Sequence, residues 1–351
     1  MHRISALTTS LLMAAAVIPA TATTATAAPA AMPVTSGYAY VWANQPTTGS
    51  YVPAAAYSAN STGGVNTVSR LGTGRYIVRM PNLGTFGGVA HATAYGSTDA
   101  TCQVNQWYVA GTRIDLYVQC NRGTGALLDN RFTASFTNEP ASTTTGYLWA
   151  DQPSAASYTP SPTYQWNSAG GTNTVQRQGP GSYVVRLPGL GTTGGHVQVT
   201  AYGRSAARCK VVSWGPSGST QLIRVNCRNA AGVLTDNRYT LTYVDHSGLL
   251  SSDSSAYVWA NSPTSAQYYP AANYRFNSSG LTNSVRRIST GNYLVALPHQ
   301  PLGNGTVHVT AYGPKAQRCT VGSWGSAGVR VLCRTSAGAW TDTQFDLAFQ
   351  R

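Results

Sequence analysis

Histidine, the side chain that most often transfers protons in enzymes, is rare in this 351-residue chain. Beyond the first residues there are five histidines, and only His91 and His308 occupy equivalent positions when the chain is aligned with itself. Neither lies in a recognisable catalytic motif, so we expect both on the solvated face of a strand. The other three, His196, His246 and His299, are the first candidates for the base of a divergent hydrolase.

Carboxylates are also scarce, with ten Asp and Glu residues in total. One acidic position recurs three times, always nine residues after a cysteine: Asp129, Asp236 and Asp342. A glycosidase uses two carboxylates at a defined separation, so one repeated Asp cannot supply both acid and base. We interpret it as structural, either capping a turn or pairing with an equally repeated arginine. An asymmetric site using Asp99, Asp115 or Asp151 stays open.

The signatures of the common hydrolases and of metal centres are missing from the sequence. There is no Gly-x-Ser-x-Gly elbow, His-Glu-x-x-His helix, phosphate-binding loop or calcium loop. The cysteines lack the Cys-x-x-Cys spacing and companion ligands of a zinc site. We therefore expect no cofactor and no metal, and we regard catalysis as the less favoured reading, although a serine and a histidine joined only by the fold would leave no motif.

Aromatic side chains give the stronger indication of function, with 21 Tyr and eight Trp. Two tryptophan positions recur and are expected in the core, beside a disulfide: Trp42, Trp149 and Trp259, then Trp107, Trp214 and Trp324. Many tyrosines stand among Asn, Ser and Gly, a composition typical of adaptable binding surfaces. The candidate binding residues are Tyr57, Tyr164, Tyr274, Arg70, Arg177, Arg287 and Trp166.

These residues belong to a threefold internal repeat that begins at Tyr40, Tyr147 and Tyr257 and has a period of 107 to 110 residues. Each copy carries an Asn-Thr-Val or Asn-Ser-Val element, a Thr-Ala-Tyr-Gly element and a Cys-x4-Trp element. The period exceeds that of solenoid repeats, so each copy is expected to fold around its own core. We place domains at 37–138, 146–244 and 256–351, joined by exposed linkers at 138–145 and 245–255.

Six cysteines fall two to a copy, and the repeat selects one pairing among the fifteen possible. The expected disulfides are Cys102 with Cys120, Cys209 with Cys227, and Cys319 with Cys333. Closing a loop of this length stabilises the fold by about 3 kcal/mol in the chain-entropy model. Disulfides also indicate an oxidising, extracellular location.

Strand signals dominate each copy. Val197, Val199 and Ala201 alternate with polar neighbours, which predicts one core face and one outer face. A second alternation near the end of each copy, such as Phe132-x-Ala134-x-Phe136, predicts a half-buried final strand. Gly and Pro recur every eight to twelve residues, so we predict an all-β fold of three tandem antiparallel β-sandwich or jelly-roll-like domains.

The N-terminal sequence and the net charge indicate where the protein is located and what kind of partner it could bind. Residues 1–27 have the layout of a secretory signal peptide, and no segment approaches the roughly 20 apolar residues of a membrane span. The chain carries a formal charge of +13, mostly as Arg. A partner bearing phosphate, sulfate or carboxylate fits this charge, but solubility alone would also explain it. The arginines are scattered, which makes nucleic acid an unlikely partner.

The three motifs make the chain similar to tandem repeats of secreted bacterial proteins of unassigned activity. That resemblance covers nearly all the mature chain and implies secretion and tandem use, without a chemistry. We expect a secreted, non-catalytic, multivalent binding or adhesive protein for an extracellular polysaccharide or cell-wall polymer. The alternatives are a hydrolase with its site in one divergent copy, or an inhibitor that docks on a secreted protein through loops such as Gly189 to Gly195.

Overall fold

The computed structural model describes residues 36–139 and 144–351, and this part of the chain is built almost entirely of β-strands. The predicted all-β class is confirmed. Helical structure there is limited to three short 3-10 turns, at Ala55–Tyr57, Pro162–Tyr164 and Ala272–Tyr274. Within the same ranges no helix is both long and apolar enough to cross a membrane. The predicted signal peptide, residues 1–27, lies outside the described residues.

The same order of nine strands occurs three times. The first copy contains β1 (Tyr38–Ala43), β2 (Ser50–Tyr51), β3 (Ser58–Asn60), β4 (Thr67–Gly72), β5 (Arg75–Met80), β6 (Val89–Tyr95), β7 (Ala100–Ala110), β8 (Arg113–Arg122) and β9 (Arg131–Thr137). The second contains β10 (Thr145–Ala150), β11 (Ser157–Tyr158), β12 (Gln165–Asn167), β13 (Thr174–Gly179), β14 (Ser182–Pro188), β15 (His196–Tyr202), β16 (Arg208–Ser217), β17 (Thr220–Arg228) and β18 (Arg238–Val244). The third contains β19 (Ser255–Ala260), β20 (Gln267–Tyr268), β21 (Arg275–Asn277), β22 (Ser284–Ser289), β23 (Asn292–Ala296), β24 (Thr306–Ala311), β25 (Arg318–Gly325), β26 (Gly328–Arg334) and β27 (Phe345–Gln350).

Each copy contributes a four-stranded and a five-stranded antiparallel layer. In the first copy the strand orders are β3-β1-β9-β6 and β2-β4-β5-β8-β7. Apolar residues of both layers form one buried cluster, in which Val41 and Phe132 join Val78 and Leu116. Burying a side chain of this size stabilises the fold by about 1.5–3 kcal/mol. Equivalent clusters occur in the second and third copies.

The expected disulfides are confirmed. Cys102–Cys120, Cys209–Cys227 and Cys319–Cys333 each join directly opposed residues of a hairpin, for example between β7 and β8. All six cysteines are paired. Each disulfide therefore joins the last two strands at one end of the five-stranded layer.

The Asn of the Asn-Thr-Val element holds an edge strand in place. Asn66 is buried, and its side-chain amide donates to the carbonyl oxygens of Tyr40 and Ala59 at 3.3 and 2.9 Å. Asn173 and Asn283 make the same two contacts in their copies. The recurrence of this residue therefore has a structural cause, because a buried backbone carbonyl needs a donor.

The Thr-Ala-Tyr-Gly element joins one copy to the next. Its Tyr forms a parallel bridge with a Val of the neighbouring hairpin, and its Gly donates a backbone hydrogen bond to that Val. The bridged pairs are Tyr202 with Val104, Tyr312 with Val211 and Tyr95 with Val321. The three hydrogen bonds are 2.8 to 3.0 Å long. The third copy thus returns to the first and closes a ring, which covers strand edges that would otherwise be open to pairing.

The repeated tryptophans lie at these three junctions. Trp324 of the third copy contacts Trp42, Tyr57 and Tyr95 of the first, with ring centroids 5.3–5.5 Å apart. Equivalent quartets are Trp107, Trp149, Tyr164 and Tyr202, and Trp214, Trp259, Tyr274 and Tyr312. The six tryptophans are buried or half-buried, as expected for core residues. Their packing partners, however, are aromatic residues of a neighbouring copy as well as their own core.

The expected solvated position of His91 and His308 is wrong. Both are buried, because the outer faces of the four-stranded layers pack against each other. His91 contacts the hydroxyls of Thr200 and Thr242 in the second copy, at 3.0 and 2.8 Å. His308 makes the equivalent contacts with Thr93 and Ser135 of the first copy.

The final strands and the second linker also differ from expectation. β9, β18 and β27 are buried on both faces rather than half-buried, since one face meets the core and the other meets the neighbouring copies. The linker 245–255 is not exposed throughout: Leu249 and Leu250 are buried, and Leu249 packs with Val244, Tyr257 and Ala348. Part of the linker 138–145 lies outside the described residues.

Candidate functional site

The repeated Asp and Arg form an ion pair in every copy, which is one of the two structural roles expected for the Asp. In the first copy Arg70 Nε donates to Asp129 Oδ1 at 3.0 Å and Arg70 Nη2 donates to Oδ2 at 2.8 Å. The Gly74 amide and the Tyr76 hydroxyl also donate to Oδ1, at 2.8 and 3.0 Å. Arg177 with Asp236 and Arg287 with Asp342 repeat this arrangement.

The glycine in this network is required by the backbone. Gly74 has a φ of 64°, and a Cβ there would lie 2.5 Å from the carbonyl oxygen of Cys120. Hydrogen bonds led by those from Arg70 lower the pKa of Asp129 below its ordinary value, and Arg177 does the same for Asp236. The candidate arginines are thus held by an intramolecular carboxylate, and a binding role for Arg70, Arg177 and Arg287 stays a prediction.

The candidate tyrosines Tyr57, Tyr164 and Tyr274 are half-buried members of the three aromatic quartets. They are less accessible than the sequence suggested, because each packs on a tryptophan from the cysteine-bearing hairpin of a neighbouring copy. Trp166 keeps 45% of its surface exposed and stands on the edge strand β12. Of the residues selected from the sequence, Trp166 is the aromatic side chain best placed to meet a ligand.

A surface cleft between the third and first copies combines an exposed tryptophan with polar side chains. Trp340, 43% exposed, lines it together with Ser97, Ser289, Thr290, Asn292, Arg330 and Leu332. The Arg334 guanidinium lies over the Trp340 ring, 3.5 Å from its centroid, and Arg334 Nη2 donates to the carbonyl oxygen of Ser97 in the first copy. Arg330 Nε donates to Asn292 Oδ1 at 2.9 Å.

This cleft was missed at the sequence level, although a signal was present. Trp340 stands where the other copies have Leu127 and Leu234, which form equivalent isolated bridges. A tryptophan replacing a repeated leucine at a surface position is a gain of aromatic area in one copy only.

The three histidines considered for catalysis lie in different surroundings. His196 is fully buried and does not contact solvent, and this burial lowers its pKa to about 3. His299 is exposed. His246 is exposed, and its Nδ1 lies 2.8 Å from Asp245 Oδ1, whose carboxylate also accepts hydrogen bonds from Thr192 and Tyr257. The described residues contain no group of three or more His, Cys, Asp and Glu side chains arranged to hold a metal ion.

The loop considered for protein docking, Gly189 to Gly195, is partly occupied within the fold. Gly194 accepts a hydrogen bond from Trp214 Nε1 at 2.6 Å, and the Gly195 amide donates to the carbonyl oxygen of Asn273 at 2.8 Å. Its C-terminal end therefore seals the junction between the second and third copies.

No protein-family model matches the chain, and neither a curated protein nor a solved structure matches it.

Proposed function

We propose that this protein is a secreted, non-catalytic binding protein for an extracellular polysaccharide or cell-wall polymer. The observation that carries the proposal is the Trp340 cleft. Sugar rings present flat apolar faces and many hydroxyl groups, and such ligands suit an aromatic ring flanked by side chains with fixed hydrogen-bonding groups.

The polar groups of the cleft are already oriented. The bond between Arg330 and Asn292 fixes both side chains, and the stacked Arg334 holds the Trp340 ring while donating to the neighbouring copy. Fixing these groups before binding reduces the entropy lost when a ligand binds. The cleft spans the third and first copies, so its shape depends on the closed ring.

The disulfides support an extracellular setting. The ring determines how equivalent surfaces of the three copies could contact one polymer together. The surfaces that recur are held at fixed positions rather than on flexible linkers. The Trp340 cleft itself occurs once, so a polymer would gain avidity only by also contacting the recurring surfaces with a repeat spacing that matches the ring, because linked sites cooperate only when geometry allows simultaneous contact. The resemblance to tandem repeats of secreted bacterial proteins fits this proposal.

The test is co-sedimentation with a panel of insoluble polysaccharides and purified cell walls, comparing the mature chain with Trp340→Leu. This substitution inserts the residue found at the two equivalent positions, so we expect the variant to keep the fold. We expect at least one polymer to retain the mature chain and W340L to lose at least half of that retention. Equal retention of both proteins on every polymer would reject the cleft.

A hydrolase is a second candidate, because Asp245 orients the exposed His246. A carboxylate on Nδ1 leaves Nε2 of the imidazole outward, as in a general base. Release of soluble sugar or of a chromogenic ester product would be measured with the mature chain and with His246→Ala, using His299→Ala as the control for loss of an exposed histidine. Product released by the mature chain and H299A but not by H246A would establish it.

A further inference from the structure

A cavity lies where the three copies meet, on the side of the ring formed by the starts of the cysteine-bearing strands. Its volume is about 80 Å³, and it is partly open to solvent. Each copy contributes six equivalent positions to its lining, among them Thr101, Arg208 and Arg318 at one position and Gln103, Lys210 and Thr320 at another, and the second and third copies add further residues. The repeat therefore builds a shared central chamber, and the residues that differ between copies set its charge.

The lining is strongly basic. Arg208, Lys210, Arg228 and Arg318 all contribute to it. Arg318 and Lys210 are only 5% and 6% exposed. Among the described residues one carboxylate contacts this group, Asp99, which pairs with Arg318.

The other hydrogen bonds of these cations go to uncharged backbone oxygens. Arg228 donates to the carbonyl oxygens of Gly232 and Pro314, at 2.7 and 2.6 Å, and Arg208 donates to that of Gly123. Lys210 Nζ is buried and has no hydrogen-bond partner in the part of the chain that the structure describes.

Two buried cations with two half-buried ones beside them are costly unless an opposite charge compensates them. Burial, followed by the nearby Arg228, lowers the pKa of Lys210 to about 7. A negative group in the cavity would reverse that effect, because an opposite charge favours the protonated amine. It would also give Lys210 the acceptor it lacks, in a charge-assisted hydrogen bond.

We propose that this cavity is a binding site for a compact oxyanion, a phosphate or sulfate group, with Lys210 as its central donor and Arg208 and Arg318 completing the charge. Guanidinium groups match the planar oxygen pairs of these anions, and a volume of about 80 Å³ suits one such group. The site shares no lining residue with the Trp340 cleft. It is therefore independent of the proposed function.

The experiment is calorimetric titration of the mature chain with inorganic phosphate and with sulfate, in chloride buffer of constant ionic strength. The key variant is Lys210→Gln, the residue that the first copy carries as Gln103. We expect K210Q to weaken binding about tenfold or more, since it removes a hydrogen bond between charged groups. At pH 8 the mature chain should also take up protons on binding, seen as a heat that depends on the buffer, and K210Q should not.

The matched control is Arg275→Gln. Arg275 donates to the carbonyl oxygen of Pro270, and the equivalent Gln165 in the second copy donates to that of Pro160, so R275Q removes a positive charge while keeping the contact. It should bind as the mature chain does. Arg208→Thr, which inserts the residue of the first copy, is the second test should K210Q fail to fold.

Two sources of the anionic group are separated by adding dextran sulfate and unmodified dextran. Binding of the inorganic ions alone supports a free oxyanion, and Lys210-dependent binding of dextran sulfate alone supports a group carried on a polymer. The proposal is overturned if none of these anions binds, if K210Q binds them as tightly as the mature chain, or if R275Q weakens binding as much as K210Q.

Discussion

Acid should destabilise this protein through three histidines that lie among the packed copies. His91, His196 and His308 have almost no exposed surface. Burial lowers the pKa of His196 and His308 to about 3 and that of His91 well below its ordinary value. In the unfolded chain each has a pKa near 6.5, so the unfolded state binds more protons at mildly acidic pH. Stability then falls as pH falls, by about 1.4 kcal/mol per pH unit for each histidine.

Asp346 acts in the opposite direction. Its carboxyl is fully buried, burial raises its pKa well above the ordinary value, and neither oxygen has a hydrogen-bond partner within the described residues. The unfolded Asp ionises near pH 3.9, so above that pH the folded state binds one proton more and stability falls as pH rises, by about 1.4 kcal/mol per unit. The equivalent residues are Thr133 and Thr240, whose hydroxyls donate to the carbonyl oxygens of Val307 and Ala90.

The balance of these groups fixes the slope of stability between about pH 6 and pH 4. The unfolded state binds three more protons than the folded state at the histidines and one fewer at Asp346, so it binds two more in total. The free energy of unfolding therefore falls by about 2.7 kcal/mol for each unit that the pH falls. The double variant His91→Gln/His308→Gln inserts the residue that the second copy carries as Gln198. In this variant the unfolded state gains one proton at His196 and the folded state keeps one at Asp346, so these groups should contribute a slope near zero. Asp346→Thr should steepen the slope to about 4 kcal/mol per unit.

The assay is urea unfolding at pH 6.0, 5.5, 5.0 and 4.5, followed by tryptophan fluorescence and circular dichroism. Carboxylates with lowered pKa, such as Asp129, add a common contribution to all three proteins, so the differences between slopes are compared. Equal slopes for the mature chain, the double variant and D346T would refute the reasoning. They would mean that the histidines take up protons in the folded state or that Asp346 is ionised there.

Three further changes test the fold that positions the sites. Asp129→Asn should lower the free energy of unfolding by about 1.5–3 kcal/mol at pH 7, because it breaks charge-assisted hydrogen bonds. Since the pKa of Asp129 is lowered in the folded state, this loss should shrink as the pH falls below 4. An unchanged urea midpoint for this variant at pH 7 would contradict the prediction. Trp324→Ala should lower the free energy of unfolding by about 3–5 kcal/mol and speed amide hydrogen exchange at the junction of the third and first copies. An equal rise in exchange at all three junctions would contradict this. Gly74→Ala should destabilise by more than about 1 kcal/mol, whereas Gly215→Ala, which meets no atom within 4 Å, should not; equal midpoints would count against the network geometry.

Features set within one copy could be predicted from the sequence. The disulfides, the pairing of Arg70 with Asp129 and the strand alternation all recur at fixed spacing, and recurrence separates structural positions from incidental ones. The alternation also identified Val197, Val199 and Ala201 as core residues, which are buried. Each depends on contacts inside a single copy.

Features set between copies could not be predicted. Alternation shows that His91 lies on the face opposite the core, but not that three such faces pack together and exclude water. Tyr57 has the polar neighbours of a surface residue, and it is partly covered because Trp324 reaches it from the other end of the chain. Lys210 reads as one of a few scattered cations until the fold brings Arg318 of the third copy into the same cavity, together with Arg208 of its own strand and Arg228 of the adjacent strand.

The central claim is that Trp340 contacts a polysaccharide, and the indole N–H signals of the eight tryptophans test it most directly. Soluble fragments of a polymer that retains the protein would be added to nitrogen-15-labelled mature chain, with the Trp340 signal assigned from W340L. We expect the Trp340 signal to shift in a saturable way while those of the three junction quartets stay in place. Saturable shifts confined to other tryptophans, with Trp340 unmoved, would contradict it.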